Sequence, residues 1–195
     1  ATRERRSGIG EALNRLFSLI DRFMADDRES SFQPESVRIG PLIGDVQLHF
    51  EMTARGNRLH FAVDDGTVSF FADPDMLSTV IINLIDNALK YSPNNQSVEI
   101  TAKEEHGSIR ITVRDQGMGI PQGELGKIGR RFFRASNAKT MAGTGLGLYS
   151  AYKLLAYHGG TLRLLSNPEG GTTAVVTMPA SSDISNALAP EGMVA

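Results

Sequence analysis

The chain of 195 residues contains no cysteine, which excludes disulfides, thiolate metal sites and cysteine nucleophiles. It also has no run of about 18 apolar residues, which is the length that a membrane-spanning helix needs. Its 20 Lys and Arg and 22 Asp and Glu give a formal net charge of only -2, without the basic excess of a nucleic-acid binder. We therefore expect no contact with nucleic acid or membrane, and we expect local geometry to hold any anionic ligand.

Apolar residues near the N-terminus recur at alternating steps of four and three, which is typical of a helix that packs on other helices. They are Ile9, Leu13, Leu16, Ile20 and Phe23. A polar linker, Asp26–Ser31, follows. Because one helix cannot bury its own stripe, we predict a partial bundle helix and linker over residues 1–31. A core helix of a single domain remains the alternative.

The pattern between residues 36 and 179 predicts one globular domain, with a flexible tail of small and polar residues over 180–195. A helix that begins at a capping Asp73 and Pro74 is the clearest element, because an apolar stripe runs along it to Tyr91. Asp64-Asp65-Gly66 indicates a turn between two strands. The expected strands and helices are Val37–Ile39, Leu42–Met52, Leu59–Val63, Val68–Phe71, Asp75–Tyr91, Val98–Ala102, Ile109–Val113, Gly145–Tyr157, Leu162–Leu165 and Thr173–Met178.

These elements predict an α+β fold in which helices cover one face of a sheet. The predicted hairpins make that sheet mixed but largely antiparallel, so the architecture is a two-layer α/β sandwich preceded by a long N-terminal helix. Residues 116–142 lack periodicity and predict a long mobile loop, which is usually functional inside a compact domain.

One arc of the helix Asp75–Tyr91 carries Asn83, Asn87, Lys90 and Tyr91, away from the apolar stripe. An Asn carbonyl suits Mg²⁺ and a Lys can neutralise a phosphate, so a polar pocket wall is one interpretation. An ordinary solvated helix face is the other, and this arc alone does not decide between them.

Two glycine-rich segments complete the candidate chemistry. Asp115 ends a strand and can accept a hydrogen bond from an amino group, and Gly117 and Gly119 permit close approach of a flat ligand. The segment Gly143–Leu148 opens a helix whose N–H groups favour anions. It matches neither the Walker pattern nor the dinucleotide fingerprint. Each segment alone could be a simple turn, but their order with the Asn pair indicates a Mg-ATP site.

These segments resemble the catalytic ATP-binding domain of sensor histidine kinases, within the GHKL ATPase class. The resemblance extends over about residues 36–179 and rests on four motifs. They are the N box Asn83–Ser92, the first glycine box Asp115–Ile120, the F box Arg131–Arg134 and the second glycine box Gly143–Leu148.

The resemblance implies ATP and Mg²⁺ as ligands, with ADP as the product. Asn87 would coordinate Mg²⁺, and Asp115 would accept the adenine amino group. Asn83, Lys90 and Arg134 would act on the phosphates, with a solvated lid residue as the alternative for Arg134. The segment 117–142 would form a lid. The remaining nucleotide-binding residues implied are Tyr91, Gly117, Gly119, Ile120, Gly143, Thr144, Gly145, Leu146, Gly147, Leu148 and Thr172.

Position 83 separates the relatives within this class. Gyrase-type ATPases, the large heat-shock chaperone and GHKL serine kinases resemble one another in placing Glu there, and a carboxylate can act as a general base. Asn83 cannot, so we expect ATP binding with slow hydrolysis. A GHKL serine kinase or ATPase, and a non-catalytic nucleotide-sensing docking module, remain the alternatives.

The N-terminal segment Asn14–Phe23 resembles the end of the second helix of the family's dimerisation bundle. The acceptor histidine of that bundle is followed by Glu or Asp, whereas the four histidines here precede Phe50, Phe61, Gly107 and Gly159. We therefore expect no autophosphorylation by these residues alone. The implied partners are a phosphoacceptor helix in a homodimer and a response-regulator receiver domain, in the cytoplasm.

Overall fold

The computed structural model describes residues 32–53, 56–64, 69–141 and 143–180. The chain divides into two units at Pro34, and the elements named below all belong to the second unit. The predicted bundle helix, its linker and the tail beyond Ala180 lie outside the described residues, so the predicted domain boundaries stay predictions.

Seven strands and three α-helices are present in the described part of the chain. The helices are α1 Ile39–Glu51, α2 Pro74–Tyr91 and α3 Gly147–Tyr157. The strands are β1 Glu35–Arg38, β2 Leu59–Val63, β3 Ser69–Ala72, β4 Val98–Glu105, β5 Ser108–Arg114, β6 Thr161–Ser166 and β7 Thr172–Pro179. None of the helices within these ranges is long and apolar enough to cross a bilayer.

The main sheet has the order β2-β4-β5-β7-β6. β2 pairs with β4 in parallel, and every other pair in this sheet is antiparallel. The alternation of apolar and polar residues places Ile100, Ile111 and Val176 on one face, where they are fully buried. The helices cover that face, and the other carries exposed charged side chains such as Glu99 and Arg114. The predicted mixed sandwich is confirmed.

The predicted turn between the second and third strands does not join a hairpin. β3 pairs with β1 in a separate two-stranded sheet, in the register Val37↔Phe70, while β2 pairs with β4. The sequence predicted only a turn here, and a turn signal reports a local change of direction without choosing the partner of a strand.

α2 begins as the sequence predicts. Asp73 Oδ1 accepts a hydrogen bond of 3.0 Å from the main-chain N–H of Met76, and Pro74 is the first helical residue. α1 begins at Ile39, three residues before the predicted start, since Pro41 is tolerated in a first helical turn. α3 begins at Gly147, two residues later than predicted, because Gly145 has a φ of +77°.

The C-terminal end of α2 is held by a side chain from another element. Arg58 donates from Nη1 to Leu89 O at 3.4 Å, from Nη2 to Pro93 O at 2.7 Å and from Nε to Gln96 O at 2.9 Å. A guanidinium satisfies carbonyl groups that a helix end leaves without partners and is favoured there by the helix dipole. These hydrogen bonds therefore hold this end of α2 and its polar residues in position.

Candidate functional site

One cavity of about 240 Å³ lies between α2, α3 and the segment that joins β5 to α3. Its size is near the lower end of the about 300–1,000 Å³ found for small-molecule sites. Most of the residues predicted for the site line it: Asn87, Lys90, Tyr91, Asp115, Gly119, Ile120, Arg134, Gly143, Thr144, Gly145, Gly147, Leu148 and Thr172. Asn83, Gly117 and Leu146 are not among its lining residues.

The side chains of Asn83 and Asn87 face the start of α3. A Cβ placed on Gly147 would lie 3.6 Å from Asn83 Oδ1 and 3.8 Å from Asn87 Nδ2. The two Asn residues are one turn apart on α2, opposite the buried residues Leu77 and Ile81. The position of these two side chains beside the glycine loop supports the interpretation of the arc as a polar pocket wall, which stays a prediction.

The N-terminus of α3 has no side-chain cap, and Leu146 N lies 3.4 Å from Thr144 Oγ1. The first turn of a helix leaves N–H groups without main-chain partners, and these attract anions. Lys90 adds a positive charge at the same place, because its Nζ lies directly against the main chain of Gly143. This end of the cavity can hold a negatively charged group.

Asp115 lines the same cavity and is 6% exposed. Its Oδ1 accepts hydrogen bonds from the main-chain N–H of Gly117 at 2.7 Å and of Thr172 at 3.1 Å. Burial raises the pKa of this carboxyl, and the two N–H donors oppose the rise. These two main-chain hydrogen bonds fix the orientation of the carboxylate.

The lid, residues 117–142, contains two short 3-10 helices, Gln122–Lys127 and Ser136–Ala138. Glu124 Oε2 accepts a hydrogen bond of 2.8 Å from the Ser136 N–H, which joins the two turns and lowers the pKa of Glu124. The predicted loop therefore has internal order.

Arg134 uses its Nη2 to donate to the carbonyls of Ala138 and Met141, within the lid. It also lines the cavity, so a phosphate contact stays a prediction that this arrangement does not exclude.

Sequence analysis missed two residues that position parts of the site. Asn137 Nδ2 donates to Gly119 O at 3.1 Å, which ties the lid to the first glycine segment. Tyr152 on α3 lies against Gly129 of the lid. Neither carries a motif, and each contact joins residues 18 or more positions apart, so a local pattern gives no signal for them.

A family model described as histidine kinase-, DNA gyrase B-, and HSP90-like ATPase matches residues 72–182. The sensor-like histidine kinase SenX3 of Mycolicibacterium smegmatis is 32% identical over 152 residues, which are 76% of this chain and 40% of SenX3. The chain therefore spans well under half of this curated relative.

Two solved structures share the fold. The mycobacterial sensor histidine kinase MprB has 28% identity and a TM-score of 0.64, over 74% of this chain and 97% of that chain. The histidine kinase ThkA, in complex with the response regulator protein TrrA, has 25% identity and a TM-score of 0.67, over 89% of this chain and 49% of that chain.

Proposed function

The chain belongs to the histidine kinase-, DNA gyrase B-, and HSP90-like ATPase family, and its fold is that of histidine kinase catalytic domains. From this premise we propose that the cavity binds Mg-ATP and that the domain transfers the γ-phosphoryl group to a histidine of a two-component sensor kinase. An imidazole nitrogen forms a bond to the γ-phosphorus, the bond to the bridging oxygen breaks, and ADP leaves with the electron pair.

Asp115 would recognise the adenine end of the nucleotide. Its Oδ1 already accepts two main-chain hydrogen bonds, so the other oxygen remains to accept one from an exocyclic amino group. Burial makes such a hydrogen bond stronger than it would be in water. Apolar side chains of the same cavity, Ile120, Val113 and Leu164, suit the faces of a flat ring.

The phosphates would lie at the other end, between Lys90 and the N-terminus of α3. The uncapped first turn offers N–H groups, and the Lys90 ammonium lies beside Gly143. Since these donors come from the glycine loop and from α2, they can contact different phosphates at once.

The side chains beside this turn fit a magnesium ion. Asn87 presents an amide next to the glycine loop, and an amide oxygen is a ligand that Mg²⁺ accepts together with water and phosphate oxygens. Bound there, the ion would neutralise phosphate charge in the transition state. The described residues offer no cluster of three acidic, His or Cys side chains, which agrees with an ion that is held largely by its nucleotide.

Asn83 favours an imidazole acceptor over water. It faces the same turn as Asn87, but an amide cannot accept a proton at neutral pH and so cannot activate water. The γ-phosphoryl group would therefore be hydrolysed only slowly and would remain on the nucleotide for a stronger nucleophile. An imidazole is such a nucleophile, because it needs no general base to attack. This is our main reason to prefer a histidine kinase to a serine kinase or an ATPase of the same class.

One observation carries the proposal: Asn87 and Lys90 of the N box and Asp115 of the first glycine box line a single cavity with the glycine loop. The partners follow from the proposed reaction. They are a phosphoacceptor helix in a homodimeric bundle, and a response-regulator receiver domain such as the regulator bound by ThkA. A cytoplasmic location belongs to the same proposal.

The proposal is tested by calorimetric titration of the protein with a non-hydrolysable ATP analogue, with and without Mg²⁺. We expect wild type to bind and Asp115→Ala to lose at least about tenfold in affinity, since a hydrogen bond to a charged group is worth about 1.5–3 kcal/mol. Asn87→Ala should lose the effect of Mg²⁺, and Asn94→Ala, an exposed Asn just beyond α2, is the control.

Folded wild-type protein without saturable binding would refute the enzymatic proposal and favour a docking module. If binding is normal, a bundle helix that carries an acceptor histidine is supplied in trans with ATP. Phosphorylation of that histidine supports the kinase, whereas phosphorylation of serine or rapid release of phosphate to water would contradict it.

A further inference from the structure

The lid touches α3 at a residue that must be glycine. Gly129 has a φ of +87°, and a Cβ placed on it would lie within 2.5 Å of both Cε2 and Cδ2 of Tyr152. Both distances are far below van der Waals contact, so the Tyr152 ring lies directly against the main chain of Gly129. Any side chain at position 129 would have to displace the ring or lift the lid.

Tyr152 is anchored on the helix that begins at the glycine loop. Its neighbours Ala151, Leu154 and Leu155 are buried in the core, so the position of its Cα is fixed. The ring itself is part-buried, and this burial raises the pKa of the phenol. Tyr152 does not line the cavity, but Ile128, Gly129, Phe133 and Arg134 of the lid do.

A second contact holds the same stretch of the lid a few residues further on. A Cβ on Gly145 would lie 2.9 Å from Phe132 C and 2.9 Å from Phe133 O, so the main chains of the lid and the glycine loop touch. Phe132 adopts a φ of +60°, which is uncommon for an aromatic residue and implies that surrounding contacts impose it. Two supports, one on α3 and one on the glycine loop that precedes it, can fix the height of the lid above the cavity.

We propose that Tyr152 is a positioning residue whose ring supports the lid at Gly129 and so keeps Phe133 and Arg134 over the bound nucleotide. The ring acts by contact and not through its hydroxyl. The part of this inference that concerns the bound nucleotide rests on the proposed function. The contact by which the ring supports the lid does not depend on it.

Four single variants of the full chain separate this role from a general loss of stability. Tyr152→Ala removes the support, and Tyr152→Phe keeps it. Gly129→Ala forces the ring and the lid apart. Gly126→Ala is the matched control, because Gly126 lies in the same lid and a Cβ there would meet nothing within 4 Å. The double variant Gly129→Ala/Tyr152→Ala tests whether the two positions act through one contact.

Brief trypsin digestion measures the lid without nucleotide, because Lys127 and Arg130 are exposed lid residues. We expect cleavage after these residues, relative to cleavage after Arg163 in β6, to be at least about tenfold faster in Tyr152→Ala and Gly129→Ala. Tyr152→Phe and Gly126→Ala should match wild type. The increase in the double variant should be smaller than the product of the two single increases, because an alanine at position 129 keeps its backbone strain but no longer meets the ring.

Stopped-flow release of a fluorescent ATP analogue measures the same contact with nucleotide bound. Release should be at least about fivefold faster for Tyr152→Ala and unchanged for Tyr152→Phe. Equal lid cleavage in Tyr152→Ala and wild type would overturn the inference, and so would a Tyr152→Phe that behaves like Tyr152→Ala. If wild type binds no nucleotide, the proposed function fails, and digestion alone then decides whether Tyr152 supports the lid.

Discussion

The imidazole Nε2 of His158 accepts a hydrogen bond of 3.0 Å from the main-chain N–H of Asp73. Its Nδ1 lies 2.6 Å from Leu154 O. Because a main-chain N–H can only donate, Nε2 is the acceptor and Nδ1 carries the hydrogen, so the ring is neutral. His158 is 4% exposed and joins the end of α3 to the residue that caps α2. These two hydrogen bonds give His158 a structural role between the two helices.

We expect His158→Ala to lower the free energy of unfolding by about 2–3 kcal/mol, since it leaves the buried Asp73 N–H without this acceptor. Urea unfolding followed by circular dichroism measures the change. His60→Ala, at an exposed position of β2, should stay within about 0.5 kcal/mol of wild type. A His158→Ala protein as stable as His60→Ala would show that this link between the helices is not structural.

The burial of Asp115 predicts a specific dependence of stability on pH. Its folded pKa is raised, so the protonated carboxyl stabilises the fold fully below the unfolded pKa of about 3.9, and this stabilisation is lost as pH rises through the folded pKa. Asp115→Asn removes this ionisation, and its Oδ1 can still accept from Gly117 and Thr172.

Urea unfolding between pH 4 and pH 8 tests this dependence. The stability of Asp115→Asn relative to wild type should rise with pH up to the folded pKa of Asp115 and stay constant above it, while its affinity for ATP is lost. A constant difference between the two proteins at every pH would contradict the raised pKa.

Asn83→Glu should raise the hydrolysis of ATP by water. The new carboxylate would stand beside the N-terminus of α3, where it can take a proton from water. General base catalysis contributes about 10²–10⁴-fold, so we expect an increase of at least about tenfold over a slow wild type. Release of phosphate in the absence of any acceptor is the measurement. Asn83→Gln, which adds length without a base, is the control and should remain slow.

Gly44→Ala should stabilise the domain. Gly44 lies in the exposed face of α1, and a Cβ there would meet nothing within 4 Å. Alanine in a helix interior is favoured over glycine by about 0.5–1 kcal/mol. Thermal and urea unfolding should both show the gain. Gly56→Ala should do the opposite, because its Cβ would lie 2.6 Å from Phe50 O.

Local signals predicted the elements that carry the motifs. Asp73 and Pro74 mark the start of α2, and the predicted strand Leu59–Val63 has the observed bounds. The fold class was predicted from the number of hairpins and helices. The candidate site was predicted from motifs whose residues have a fixed spacing in the sequence. In each case the information lies within about one turn or one hairpin of the residues concerned.

Contacts between distant segments could not be predicted from the sequence. The pairing of β3 with β1 depends on which strands remain available after β2 joins β4, and no turn residue encodes that choice. The Tyr152–Gly129 contact joins the lid to a helix, and Asn137 reaches Gly119 across the lid. Such contacts depend on the assembled tertiary structure and have no short-range pattern.

The attachment of Arg58 to the end of α2 has a consequence for folding. Its three carbonyl partners lie 31 to 38 residues further along the chain, so they gain these hydrogen bonds only when distant segments have come together. The stretch that carries Lys90 and Tyr91 therefore has these contacts only in the native domain. A ligand at this stretch would bind only the native state of the domain. Its concentration would therefore determine how well the whole domain resists heat and proteolysis.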